Sequence, residues 1–166
     1  SSSERSSLVE NVASSNGDGF KIDGDSNSFR DNESRFNTEN GFDVNGTENV
    51  LSRNVAADNG DDGFDLDGER NRLTRNEAHK NGAIGEPGNR NGFHVSNDFN
   101  ALTGNVATEN AEFGFVIDDG IFGNSITNRN ISELNGSTDM HDLNAECSSN
   151  RWRQNIFGTS DPGCID

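Results

Sequence analysis

One order of residues recurs along the chain and constrains its fold more than any single motif does. The stretch 54–76, NVAADNGDDGFDLDGERNRLTRN, is matched by 11–32, NVASSNGDGFKIDGDSNSFRDN, and by 32–54, NESRFNTENGFDVNGTENVLSRN. The same order returns from 76 to 105, 105 to 130 and 130 to 155, so the asparagines that open and close the units are spaced by 21, 22, 22, 29, 25 and 25 residues. Self-similarity at such a period is the signature of stacked repeats, each able to bury its apolar face only against its neighbours.

Each unit opens with Asn and one or two small or apolar residues, as in Val12-Ala13, Val55-Ala56 and Val106-Ala107. Five residues on comes a second Asn: Asn16, Asn37, Asn59, Asn81, Asn110, Asn135. A Gly-rich turn then leads into GFKID, GFDVN, GFDLD, GFHVS and GFVID, an alternation of period two that marks a strand with one buried face. After another turn comes N-x-h-x, with h apolar: Asn27 with Phe29, Asn49 with Leu51, Asn71 with Leu73, Asn100 with Leu102, Asn150 with Trp152. Three short strands in about 22 residues, repeated, describe a three-sided parallel coil.

The GFxhx and Asn-h elements, in this number and order, resemble the right-handed parallel β-helix repeat proteins of the pectin-lyase-like superfamily, over roughly 8–166. The ending CSSNRWRQNIFGTSDPGCID is similar to the closing coil of bacterial members. The expected fold is therefore all-β, a right-handed three-sided parallel β-helix of about six to seven coils. Residues 1–7 are expected to be an N-terminal tail, 8–166 a single domain and 131–166 its closing coil. A leucine-rich repeat shares the period, but its Leu-dominated pattern is absent.

Stacked strands lie about 4.8 Å apart, so equivalent residues form columns. The asparagines at 11, 32, 54, 76, 105, 130 and 155 are expected to form a hydrogen-bonded ladder, and Phe20, Phe42, Phe64, Phe93 and Phe115 a core stack. Composition fits a thin core: only 28% of residues are hydrophobic, and the formal charge is −16. Without the periodicity these values would suggest disorder. That charge disfavours nucleic acid and anionic membranes as partners, and no transmembrane span is visible. The cysteines, Cys147 and Cys164, are even in number and both C-terminal. They read as a disulfide closing the last coil rather than a metal or redox pair, which implies an oxidising, extracellular or cell-surface setting.

In GFxhx the two x positions point outward, giving two exposed columns. The first holds Lys21, Asp43, Asp65, His94, Val116 and, with Met140 replacing the Phe, His141; the second holds Asp23, Asn45, Asp67, Ser96 and Asp118. The unit starting at Asn76 is seven residues longer than its predecessor, and the extra length, between Gly82 and Arg90, falls just before His94. Enzymes of the resembling superfamily carry acidic, basic and calcium-binding residues on this strand face and cleave or epimerise polysaccharides. That resemblance implies Asp43, Asp65 and His94 as catalytic candidates, Lys21, Asp67, Arg90 and His141 as substrate contacts, and Asp43, Asp65 and Asp67 as a Ca²⁺ set. Tyr is absent and the acidic-plus-histidine motifs of polygalacturonases are missing, so a reaction is not established on sequence. Asn45, in Asn-Gly-Thr, is the sequon that alternation leaves exposed.

Two functions follow. The chain is expected to be a secreted β-helix that engages a polysaccharide or cell-surface glycan along its strand face, as a lyase, hydrolase or epimerase if it is an enzyme. The alternative is a structural module that stacks end to end into a homo-oligomer or fibre through its first coil.

Overall fold

A computed structural model describes residues 5–82, 90–147 and 149–166. Among them the chain winds through three parallel sheets of seven strands, and successive strands of one sheet come from successive coils. The first sheet runs from Ser7–Val9 to Arg151–Arg153, the second from Val12–Ser14 to Ile156–Phe157, and the third from Phe20–Ile22 to Ser160–Asp161. All strands are two or three residues long, because each must turn a corner of the triangular coil.

The register reproduces the repeat. In the third sheet Phe20 pairs with Phe42, Phe42 with Phe64, Phe64 with Phe93, Phe93 with Phe115 and Phe115 with Met140. The Phe rings stack with centroids 4.8, 4.7, 4.8 and 4.6 Å apart, which is the strand spacing itself. Val44, Leu66, Val95 and Ile117 form a second buried column, and Leu51, Leu73, Leu102, Ile126 and Trp152 a third. Ala56, Ala78 and Ala107 line the tight second sheet. Trp152 thus faces the core, where its Nε1–H donates to Asp142 Oδ2 at 2.7 Å.

Three asparagine ladders run parallel to the axis. Asn54 shows the arrangement: its backbone N–H and its Nδ2 donate to Asn76 Oδ1 at 2.9 and 3.0 Å, and its Nδ2 also reaches the Phe29 carbonyl at 3.0 Å. The second ladder repeats this from Asn59 to Asn81. The third runs from Asn49 through Asn71, Asn100 and Asn124 to Asn150. Asn124, in Asn-Ser-Ile-Thr, completes a series from which the sequence reading omitted it.

Several corners are turned by residues other than Gly or Asn. Left-handed backbone falls on Glu10, Asp31, Arg53 and Arg75, each the residue before a ladder Asn, with φ of 54–58°. The Asn itself is needed for its side chain, so the strained conformation passes to its neighbour. The glycines before the phenylalanines are required for space instead: a Cβ on Gly63 would lie 2.7 Å from the Gly92 carbonyl oxygen. Cys147 and Cys164 form a disulfide with Cα atoms 6.1 Å apart, tying the last coil.

Candidate functional site

The third sheet turns its phenylalanines inward and so aligns the alternate residues in one outward column. Register places Lys21, Asp43, Asp65, His94, Val116, His141 and Asp161 side by side in that order. The charges run positive, negative, negative, positive. Lys21 Nζ pairs with Asp43 Oδ2, and His94 Nδ1 lies 3.0 Å from Asp65 Oδ1. Two adjacent carboxylates, unfavourable on their own, are therefore each flanked by a cation.

The column is less open than alternation suggests. Asp43, His94 and Val116 are each less than a tenth exposed, because side chains one strand apart shield one another. Lys21 and Asn45 take both carboxylate oxygens of Asp43. Asp65 Oδ2 accepts from Asn40 Nδ2 at 3.3 Å, while the exposed Asp67 accepts from Ser96 Oγ. Asp43, Asp65 and Asp67 do converge, with carboxylate oxygens within 4.8 Å of one another. Protein donors already occupy them, so the set resembles a hydrogen-bonded face more than a bare calcium cage.

His94 is the centre of the arrangement. Its Nδ1 also lies 3.3 Å from Asp62 Oδ2, and its Nε2 lies 3.1 Å from Asp118 Oδ1. Burial acts to lower the imidazole pKa and is the largest single influence, but hydrogen bonds and charges from Asp62 and Asp65 together outweigh it and raise the pKa to about 11. Burial pushes Asp62 up to about 6 against the opposing pull of His94. At neutral pH the imidazole is thus an imidazolium that can donate a proton or a hydrogen bond. In that state it is a donor and a poor base.

Asp62 is the residue that sequence reasoning passed over. It belongs to a fourth ladder, two residues ahead of each phenylalanine: Asn40 N–H donates to Asp18 Oδ1, Asp62 N–H to Asn40 Oδ1, Asn91 N–H to Asp62 Oδ1 and Phe113 N–H to Asn91 Oδ1. The signal was present as Asp or Asn before every GF from the first coil to the fourth.

The remaining candidates lie apart. His141, beyond Val116, packs against Phe113 with the rings tilted 31° and their centroids 4.8 Å apart, and its Nδ1 lies 3.9 Å from Asp161 Oδ2. Arg90 lines a shallow depression with Ala111 and Glu112. The extra length between Gly82 and Arg90, just before His94 in sequence, falls on 83–89, outside the described residues. Asn45 is exposed, its Nδ2 donating to Asp43 and Asp23. At the corner following the third sheet, exposed Phe99 and Phe122 meet edge to face at 5.2 Å, with the Arg70 guanidinium over Phe99.

With this geometry established, comparison with known proteins is informative. A model of the right-handed β-helix region matches residues 2–158. The chain belongs to the right-handed β-helix family. Among solved structures this β-helix is similar to the periplasmic alginate epimerase AlgG, with TM-score 0.69 and 21% identity over 90% of this chain and 39% of that one. It is also similar to the pectate lyase Pel9A, with TM-score 0.58 and 19% identity over 95% of this chain and 48% of that one. Both likenesses establish the fold, and the chain spans less than half the length of either neighbour. No curated protein sequence matches it. Among the described residues no helix is long and apolar enough to cross a membrane.

Proposed function

We propose that this β-helix is an extracellular or cell-surface protein that engages a polysaccharide along the outward face of its third sheet. The observation that carries the reading is the continuous column from Lys21 to Asp161, with one polar or charged side chain per coil except at Val116. An extended glycan lying along the axis meets a new donor or acceptor at each coil, in a rigid frame that loses little entropy on binding. The fold neighbours, an alginate epimerase and a pectate lyase, act on polysaccharides, and the disulfide suits an oxidising compartment. Exposed Lys21 and Asp67, with half-buried His141, are the contacts available to a ligand; Asp43 and His94 hold the face together.

The test is binding of the purified chain to a panel of acidic, neutral and amino polysaccharides by affinity electrophoresis. Retardation by one class, reduced about tenfold in Lys21→Ala, Asp67→Ala or His141→Ala, is the expected result. Migration unaffected by every polysaccharide, or binding indifferent to all three substitutions, overturns it.

A further inference from the structure

The fourth ladder needs only one oxygen from each residue. Asn40 and Asn91 supply it from an amide, and Asp62 stands between them supplying it from a carboxylate. Its Oδ1 accepts the Asn91 N–H at 2.6 Å, so the second oxygen is surplus to the ladder. That oxygen, Oδ2, is buried on a side chain only 1% exposed, and its contact among the described residues is the ion pair with His94 Nδ1 at 3.3 Å, outside good hydrogen-bond geometry. A buried carboxylate oxygen is strongly unfavourable unless a cation answers it, either the His94 imidazolium or a metal ion that displaces its Nδ1 proton.

The surroundings of Oδ2 are those of a ligand set. Oδ2 lies 3.3 Å from His94 Nδ1, and Asp65 Oδ1 lies 3.0 Å from the same nitrogen. These separations are close to the edge of a tetrahedron drawn around an ion with bonds of about 2.0–2.1 Å. Behind the ring, Nε2 faces Asp118 Oδ1 at 3.1 Å. A carboxylate oxygen accepts there and holds the proton on Nε2, so that an ion entering between the two aspartates displaces the Nδ1 proton of the imidazolium and takes its place. A carboxylate holding the far nitrogen of an imidazole is the usual support for a ligating histidine. Asp65 and His94 stand on paired strands, and Asp62 is held by the ladder, so the three groups are pre-positioned.

We propose that Asp62 Oδ2, Asp65 Oδ1 and His94 Nδ1 form a three-ligand site for a divalent first-row transition ion such as Zn²⁺, with Asp118 orienting His94. An imidazole with two carboxylates selects this class over Ca²⁺ and Mg²⁺, which take all-oxygen shells. The site is separate from the Asp43–Asp65–Asp67 cluster, sharing only Asp65, and it does not depend on a glycan.

The experiment titrates the EDTA-treated full chain with Co²⁺, followed by visible absorption, and with Zn²⁺ by calorimetry, with Ca²⁺ and Mg²⁺ as controls. One equivalent of Zn²⁺ or Co²⁺, a Co²⁺ spectrum of a low-coordinate N/O site and a raised Tm are expected. Asp62→Asn and His94→Gln should each weaken binding by more than about 100-fold, and Asp118→Asn by about 10–100-fold. Asp62→Asn keeps the ladder acceptor that Asn40 and Asn91 use, so its circular dichroism should match the parent and loss of binding cannot be ascribed to unfolding. Zn²⁺ binding that is absent, or equal in the parent and Asp62→Asn, overturns the proposal and leaves the His94 imidazolium as the counter-ion of Asp62.

Discussion

Asp62 and Asn91 are joined in the direction opposite to the three asparagine ladders. Asn91 N–H donates back to Asp62 Oδ1 at 2.6 Å, whereas Asn54 N–H donates forward to Asn76 Oδ1. Both senses of donation run along one axis, and the consequences of losing individual contacts can be measured.

Asn54→Ala removes the acceptor used by the Asn32 backbone N–H and Asn32 Nδ2, both buried. The expected loss is about 2–4 kcal/mol in urea unfolding. Asn54→Asp, which keeps an acceptor but loses the donor to the Phe29 carbonyl and to Asn76, should also destabilise.

Phe64 is fully buried between Phe42 and Phe93. Phe64→Ala should cost about 3–5 kcal/mol. Because coils touch only their neighbours, hydrogen exchange should rise first in the coils containing Phe42, Phe64 and Phe93.

Gly63→Ala and Gly120→Ala separate two reasons for glycine. Gly63 has no room, since its Cβ would meet the Gly92 carbonyl oxygen at 2.7 Å and the Ala78 Cβ at 2.8 Å, and about 2–3 kcal/mol should be lost. Gly120 sits at φ 79° with nothing within 4 Å, so only backbone strain of about 1 kcal/mol is expected. Thermal unfolding of the two variants should rank them in that order.

His94 makes stability depend on pH. Its folded pKa, about 11, lies above the unfolded value near 6.5. The contribution of the imidazolium is therefore fully present below about pH 6.5 and is lost as pH rises toward 11. In EDTA, Tm should fall between pH 7 and 10, and His94→Gln should flatten that slope. Among the described residues the facing groups are Asp62, Asp65 and Asp118.

Opening the Cys147–Cys164 disulfide, whose ends are 17 positions apart, should lower stability by about 3 kcal/mol in the chain-entropy view. The effect should stay in the closing coil, seen as faster exchange around Trp152 with little change near Phe42.

Much of this was legible in the residues themselves. The asparagine spacing gave the coil, GFxhx gave the inward phenylalanines, and the same alternation gave the order Lys21, Asp43, Asp65, His94. Two things were not. Burial of Asp43 and His94 arises from shielding by side chains on adjacent coils, and a one-dimensional alternation assigns faces without measuring cover. Asp62 escaped because Asp beside a Gly reads as a turn residue; only its company of Asn40 and Asn91 at the same place shows that a buried amide position has been given a charge.

Coil length varies from 21 to 29 residues between ladder asparagines. Yet Asn76 N–H still meets Asn105 Oδ1 at 2.8 Å across the longest interval. Gly82 N–H still finds Asn59 O, and Glu112 N–H still finds Arg90 O, on the two sides of the extra seven residues. The ladders act as a ruler whose marks are set by amide contacts and not by the contour of the chain. A segment spliced between Gly82 and Arg90 therefore hangs outside the measured length, and one whole unit duplicated in tandem would lengthen the rod by a single pitch without moving any side chain already in place.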